Sequence, residues 1–179
     1  HFISKKSLNI DGFGEKQIKQ FFDLKLINKY EDIFELKSHK ERIICLEGWG
    51  EVSFNNLVNS IENAKKITLE RFIYSLGIRY IGEINSEILA DDFINLEELI
   101  KSVNNTERLS NIDGLGPKAI SSIIEYFSNN HNLNSLNKLK KILQISKKSK
   151  VLRNNFFSNK NLVFTGSLNT LSRDEAKYI

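Results

Sequence analysis

Ile10-Asp11-Gly12-Phe13-Gly14, Leu46-Glu47-Gly48-Trp49-Gly50 and Ile112-Asp113-Gly114-Leu115-Gly116 are three copies of one pattern: apolar, acid, Gly, apolar, Gly. Leu76-Gly77-Ile78-Arg79-Tyr80-Ile81-Gly82 is a looser fourth copy. The last glycines fall at 14, 50, 82 and 116, so the intervals are 36, 32 and 34 residues. Two helices of about ten residues with their connections fill such an interval. The flanks agree. Apolar residues recur at Ile18, Phe21 and Phe22; at Phe54, Leu57, Val58 and Ile61; at Ile84, Ile88, Leu89 and Phe93; and at Ile120, Ile123, Ile124 and Phe127. Stripes of this spacing mark one buried helix face. Residues 30–36 and 96–103 read as partner helices, and no strand alternation is convincing before about residue 160. The expected fold class is all-α.

A Gly-apolar-Gly corner has a specific chemistry. Glycine accepts positive φ and leaves the main-chain amides open to approach. The helix that follows offers its own unpaired N–H groups and the positive end of its dipole. Together they suit one phosphate oxygen. The central apolar residue (Phe13, Trp49 or Leu115) would tuck inward. Lys16 and Lys118 fall in the first helical turn, where an ammonium can add to the contact, and Ser53 offers a hydroxyl in the second copy. For one copy, a plain tight turn between helices explains as much. Four copies at near-constant spacing weigh against that alternative.

The composition is that of a soluble globular protein: 179 residues, 40% hydrophobic, 27% charged and a net charge of +4. No run approaches the 18 apolar residues of a membrane span. The first residues lack an apolar signal core. With no Met anywhere, the chain reads as a piece of a longer product. A single cysteine, Cys45, rules out an intrachain disulfide and a four-thiolate zinc site. It suggests a reducing, cytoplasmic setting, and its place in Ile43-Ile44-Cys45-Leu46 suggests a small core residue. Charge is unevenly placed. Residues 1–110 carry 15 Lys+Arg against 18 Asp+Glu, whereas residues 111–179 carry 11 against 4. Lys138, Lys140, Lys141, Lys147, Lys148, Lys150 and Arg153 form a basic run without an acid, suited to a polyanion or to a solvated linker.

The four units resemble helix-hairpin-helix motifs. Their order and neighbours are similar to the helix-hairpin-helix domain of bacterial NAD-dependent DNA ligases. The opening residues 1–16, HFISKKSLNIDGFGEK, resemble that family's lead into the domain, and residues 69–83, LERFIYSLGIRYIGE, resemble its third hairpin more specifically. Residues 161–168, NLVFTGSL, with Leu171-Ser172-Arg173-Asp174-Glu175-Ala176-Lys177, resemble the start of its BRCT domain. The resemblance implies three parts: a helix-hairpin-helix DNA-binding domain over 1–137, a basic linker over 138–158 and a truncated α/β BRCT start over 159–179.

The resemblance also implies a function. The parent enzyme would seal nicks in duplex DNA during replication and repair, through an adenylated lysine, with NAD as adenylate donor. NAD, Mg2+ and Zn2+ would belong to that parent, acting through upstream ligase domains, and no cofactor is expected in this segment. The segment would be non-catalytic and would grip nicked double-stranded DNA across the minor groove, with no membrane partner. By motif match the DNA-binding positions are Gly12, Gly14, Lys16, Gly48, Gly50, Ser53, Arg79, Gly82, Gly114, Gly116 and Lys118. The alternatives are a non-enzymatic repair or recombination scaffold using tandem hairpins, and a protein-interaction module in which the hairpins serve only helix packing.

Some features depart from the pattern. Such motifs place a small residue four positions after the second glycine; here the residues are Ile18, Phe54, Ser86 and Ile120, and only Ser86 fits. The excess of acids over residues 1–110 removes long-range attraction to DNA and implies weak affinity. His1, His39 and His131 lack metal-ligand spacing. Asp91-Asp92 and Glu97-Glu98 fall at a helix end and in the next helix's first turn, where dipoles account for acids in the latter. Trp49 could stack on a base or sit in the core, and the hairpin centre favours the core. Thr165-Gly166 could contact a phosphoserine or serve as a plain turn.

Overall fold

The computed structural model describes residues 1–147. The expected BRCT start and the second half of the basic linker lie outside the described residues. The described chain is mostly helical. It runs through α1 (Glu15–Asp23), a 3-10 segment (Tyr30–His39), α2 (Lys40–Ile44), α3 (Glu51–Ala64), β1 (Lys66–Thr68), α4 (Leu69–Ser75), α5 (Glu83–Asp92), α6 (Leu96–Ser102), α7 (Thr106–Ser110), α8 (Pro117–Ser128), α9 (Asn130–Ile142) and β2 (Gln144–Ser146).

The apolar stripes face one core. Phe21, Phe72, Phe93 and Phe127 are its largest fully buried side chains, joined by Leu36, Ile43, Leu57, Leu89 and Leu99. Each buried side chain of this size contributes about 2–3 kcal/mol relative to exposure. Not every stripe residue turns inward: Phe22 and Ile84 are exposed.

The partner helices differ from expectation. Residues 30–39 form a 3-10 segment, and short α2 is the helix that leads into the second corner. Likewise α7, rather than α6, leads into the fourth. The expected absence of strands is also corrected. β1 and β2 pair in parallel, with Ile67 opposite Ile145. Three-residue strands are too short to show alternation in sequence. Parallel pairing requires a crossover, and here it consists of α4 to α9. The two strands therefore clasp the ends of the segment that carries the third and fourth corners.

Other long-range contacts tie the halves together. Arg71 on α4 donates to the carbonyls of Ser7 (2.9 Å) and Lys5 (2.8 Å), holding the N-terminal turn. Glu31 in the 3-10 segment accepts from Lys138 (3.0 Å) and Ser135 (3.1 Å) on α9. Arg108 on α7 bonds Glu98 at 2.8 Å and lies over the Phe93 ring. The expected linker over 138–158 begins inside α9, where Leu139 is buried. Cys45 is exposed. It follows the last residue of α2 on the turn into the second corner, so the core reading of its neighbours does not extend to it.

Candidate nucleic-acid interface

The four corners share one local geometry. In three of them a β-turn closes through the central apolar residue: Trp49 N–H to Leu46 O at 3.0 Å, Ile81 N–H to Ile78 O at 3.0 Å, and Leu115 N–H to Ile112 O at 3.2 Å. The third residue of each turn has positive φ: +82° at Gly48, +64° at Tyr80 and +82° at Gly114, with +75° at Gly12 in the first corner. A type II turn demands this at that position, which is why glycine recurs there. Phe13, Ile81 and Leu115 are buried, and Trp49 is partly buried against the core. The indole of Trp49 packs on Phe21 (5.0 Å between ring centroids) and donates to Gln20 at 3.0 Å, so it is a packing residue.

The second glycine of each corner starts a helix. Gly14, Gly50, Gly82 and Gly116 are the N-caps of α1, α3, α5 and α8. These helices contrast with others in the chain. The side chains of Asn95, Asn105 and Asn129 accept from the first amides of α6, α7 and α9. A glycine N-cap has no side chain to do the same. Among the described residues, the N–H groups of Gly14, Gly82 and Gly116 have no acceptor. The corners themselves are at the surface: Gly12, Gly14, Gly48, Gly82, Gly114 and Gly116 are exposed, and Gly50 is half-buried.

The second corner differs in one respect. Its Gly50 N–H donates to Ser53 Oγ at 2.9 Å, and the Ser53 hydroxyl donates to Gly50 O at 3.0 Å. Ser53 thus closes on its own corner, and its hydroxyl must turn away before it can serve a ligand.

The corners come in reciprocal pairs. In the first pair, Gln20 on α1 bonds Trp49 of the second corner, while Ser60 on α3 accepts from Asp11 N–H of the first at 2.7 Å. In the second pair, Ile88 on α5 closes on the fourth corner, where a Cβ at Gly114 would stand 2.9 Å from its Cδ1. Lys118 on α8 in turn lies 5.9 Å from the Tyr80 ring centre of the third corner. Each pair therefore ties its two corners together through contacts with the helix that leaves the other corner.

Charge at the corners is mixed. Lys16, Arg79 and Lys118 are exposed. Glu15, Glu51 and Glu83 occupy the first position of their helices, where they suit the dipole but oppose a second anion. Lys40 neutralises Glu51 at 2.8 Å, and Lys6 neutralises Glu83. Three of the four described cations of the basic run are engaged internally. Lys138 pairs with Glu31, Lys140 with Glu97, and Lys147 donates to the carbonyls of Asp91 (3.1 Å) and Phe93 (3.3 Å). The Lys140 hydrogen bond draws the Glu97 carboxyl below the usual carboxylate range, outweighing partial burial. The Ile94 N–H, then Arg108, does the same for Glu98.

Residues 71–136, which span the third and fourth corners, match the helix-hairpin-helix motif. The chain is 45% identical over 99% of its length to a DNA ligase of Wolbachia pipientis wMel, covering 28% of that protein. It is 46% identical over 99% of its length to a DNA ligase of Pelagibacter ubique, covering 26%. A DNA ligase of Rickettsia typhi is 40% identical over the whole chain, which covers 28% of it. The chain thus spans about a quarter of the length of the curated relatives it matches. Over 99% of its length the chain is similar to one segment of each of these DNA ligases, and its own residues 71–136 match a helix-hairpin-helix motif.

Proposed function

We propose that this chain is the DNA-gripping segment of an NAD-dependent DNA ligase, holding nicked duplex by its phosphates while other parts of the enzyme do the chemistry. The single observation that carries the reading is that three glycine N-caps, Gly14, Gly82 and Gly116, keep surface N–H groups without acceptors. Such groups bind an anion by hydrogen bonding and dipole, without a base-reading side chain. Binding is therefore independent of sequence. The pairing of corners supports contact with two places on a duplex backbone. The ligase relatives favour this reading over a non-enzymatic scaffold.

The segment takes no part in adenylation or sealing. A lone exposed cysteine does not fit a four-thiolate zinc site, and among the described residues no three His, Cys, Asp or Glu side chains gather to hold a metal. Among the described residues no helix is long and apolar enough to cross a membrane. The place of action is the bacterial cytoplasm, where the DNA is.

The test is a gel-shift titration of the 179-residue chain with nicked and intact duplexes of unrelated sequences at low salt. The expected result is binding of all sequences, weakening steeply as salt rises. A folded chain that binds no duplex at low salt overturns the reading in favour of a protein-interaction module.

A further inference from the structure

Tyr80 occupies the turn position that is glycine in the other three corners, at φ +64°. An L-residue there is strained, because its Cβ crowds the neighbouring carbonyl oxygen. The turn is buttressed by Asn85 Nδ2, which donates to Tyr80 O at 2.8 Å. Yet the side chain adds no core packing, since it is 49% exposed. What it does touch is charge. The Arg79 guanidinium lies 5.1 Å from the ring centre, and the Lys118 ammonium, from the fourth corner, lies 5.9 Å from it. Both are within cation–π range of one ring.

We infer that Tyr80 is a positioning residue for DNA: its ring gathers Arg79 of the third corner and Lys118 of the fourth onto one backbone phosphate. This rests on the DNA-gripping reading above. Two like charges held at one ring repel each other, and an anion between them relieves that repulsion. The ring holds both long side chains near the corners, so less rotamer freedom is lost when the phosphate arrives. The arrangement also joins two corners into a single contact that neither forms alone.

The experiment compares Tyr80→Gly and Tyr80→Phe in the 179-residue chain. Glycine suits positive φ, so Tyr80→Gly should melt at the same temperature as the parent or higher. It should bind nicked duplex about threefold to tenfold more weakly. The slope of log affinity against log salt should fall by about 1, because one cation contact loses its alignment. Tyr80→Phe keeps the ring and should match the parent in affinity and slope. If Tyr80→Gly binds like the parent, or binds more weakly with the parent's slope, the inference is overturned and the DNA-gripping reading stands. If the parent itself binds no duplex, that reading fails first.

Discussion

The indole Nε1 of Trp49 donates to Gln20 Oε1 at 3.0 Å, joining the second corner to the helix that leaves the first. The reverse bond, Asp11 N–H to Ser60 Oγ, joins the first corner to the helix that leaves the second. Two hydrogen bonds between distant segments therefore tie each corner to the helix that leaves the other.

Gln20→Ala removes the acceptor and leaves a partly buried indole N–H unpaired. The expected cost is about 1 kcal/mol. Trp49 is the sole tryptophan, so urea unfolding followed by its fluorescence measures the loss and reports the local change. Unchanged stability would show that water replaces Gln20 without penalty.

The two glycines of a corner have different duties. Gly48 sits at φ +82°, so Gly48→Ala strains the turn and should lower stability by about 1 kcal/mol. Gly116 has an ordinary φ, and a Cβ there would meet nothing within 4 Å; the same space is open at Gly50. Gly50→Val and Gly116→Val should fold, losing no more than about 1 kcal/mol at the cap. They should weaken nicked-duplex binding more than Lys140→Ala does, because branched side chains then cover the amides. A gel-shift series at fixed salt checks the order, and equal losses would move the contact away from the corners.

Position two of the four corner helices is Lys16, Val52, Ile84 and Lys118, so each pair presents one cation and one aliphatic residue. Val52 is 75% exposed and Ile84 is 74% exposed. Val52→Lys gives the second corner the charge that the first already has. It should strengthen duplex binding by about twofold to fivefold and steepen the salt dependence by up to about 1 in slope. No change in either would mean that the second corner does not approach a phosphate.

Glu31 makes stability depend on acid. Its side chain is 8% exposed. Burial alone would raise its pKa, but its backbone hydrogen bond and the partners Lys138 and Ser135 bring the net value below the ordinary 4.5. The folded state therefore binds this proton less readily than the unfolded state. The contribution is complete above the unfolded value and disappears as pH falls through the lower folded value. Glu97 and Glu98 act in the same direction. Urea midpoints measured from pH 7 down to pH 3 should fall, and Glu31→Gln, less stable at pH 7, should show a shallower fall. Parallel profiles would remove Glu31 from the account.

Much of the fold was legible because its signals are local. A glycine pair around an apolar residue, followed by a helical stripe, sets a turn and a helix start within about ten residues. The four corners, their buried central residues and the surface position of their glycines follow from that chemistry. Other features depend on residues far apart in the chain. Lys138 reads as part of a free basic run until Glu31, 107 positions away, is found beside it. Cys45 reads as core until the path of the turn carries it outward, and β1 is no strand until β2 returns to pair with it. Ser53 reads as a ligand group until its hydroxyl closes on Gly50.

By itself, the sequence determined where the chain turns, where its helices begin and which amides they leave without a capping side chain. The tertiary structure alone decided which corners stand together and which cations remain available to a ligand. The reason is physical: backbone preferences act between neighbours, whereas ion pairs and ring contacts are chosen only when the core brings distant segments within a few ångströms.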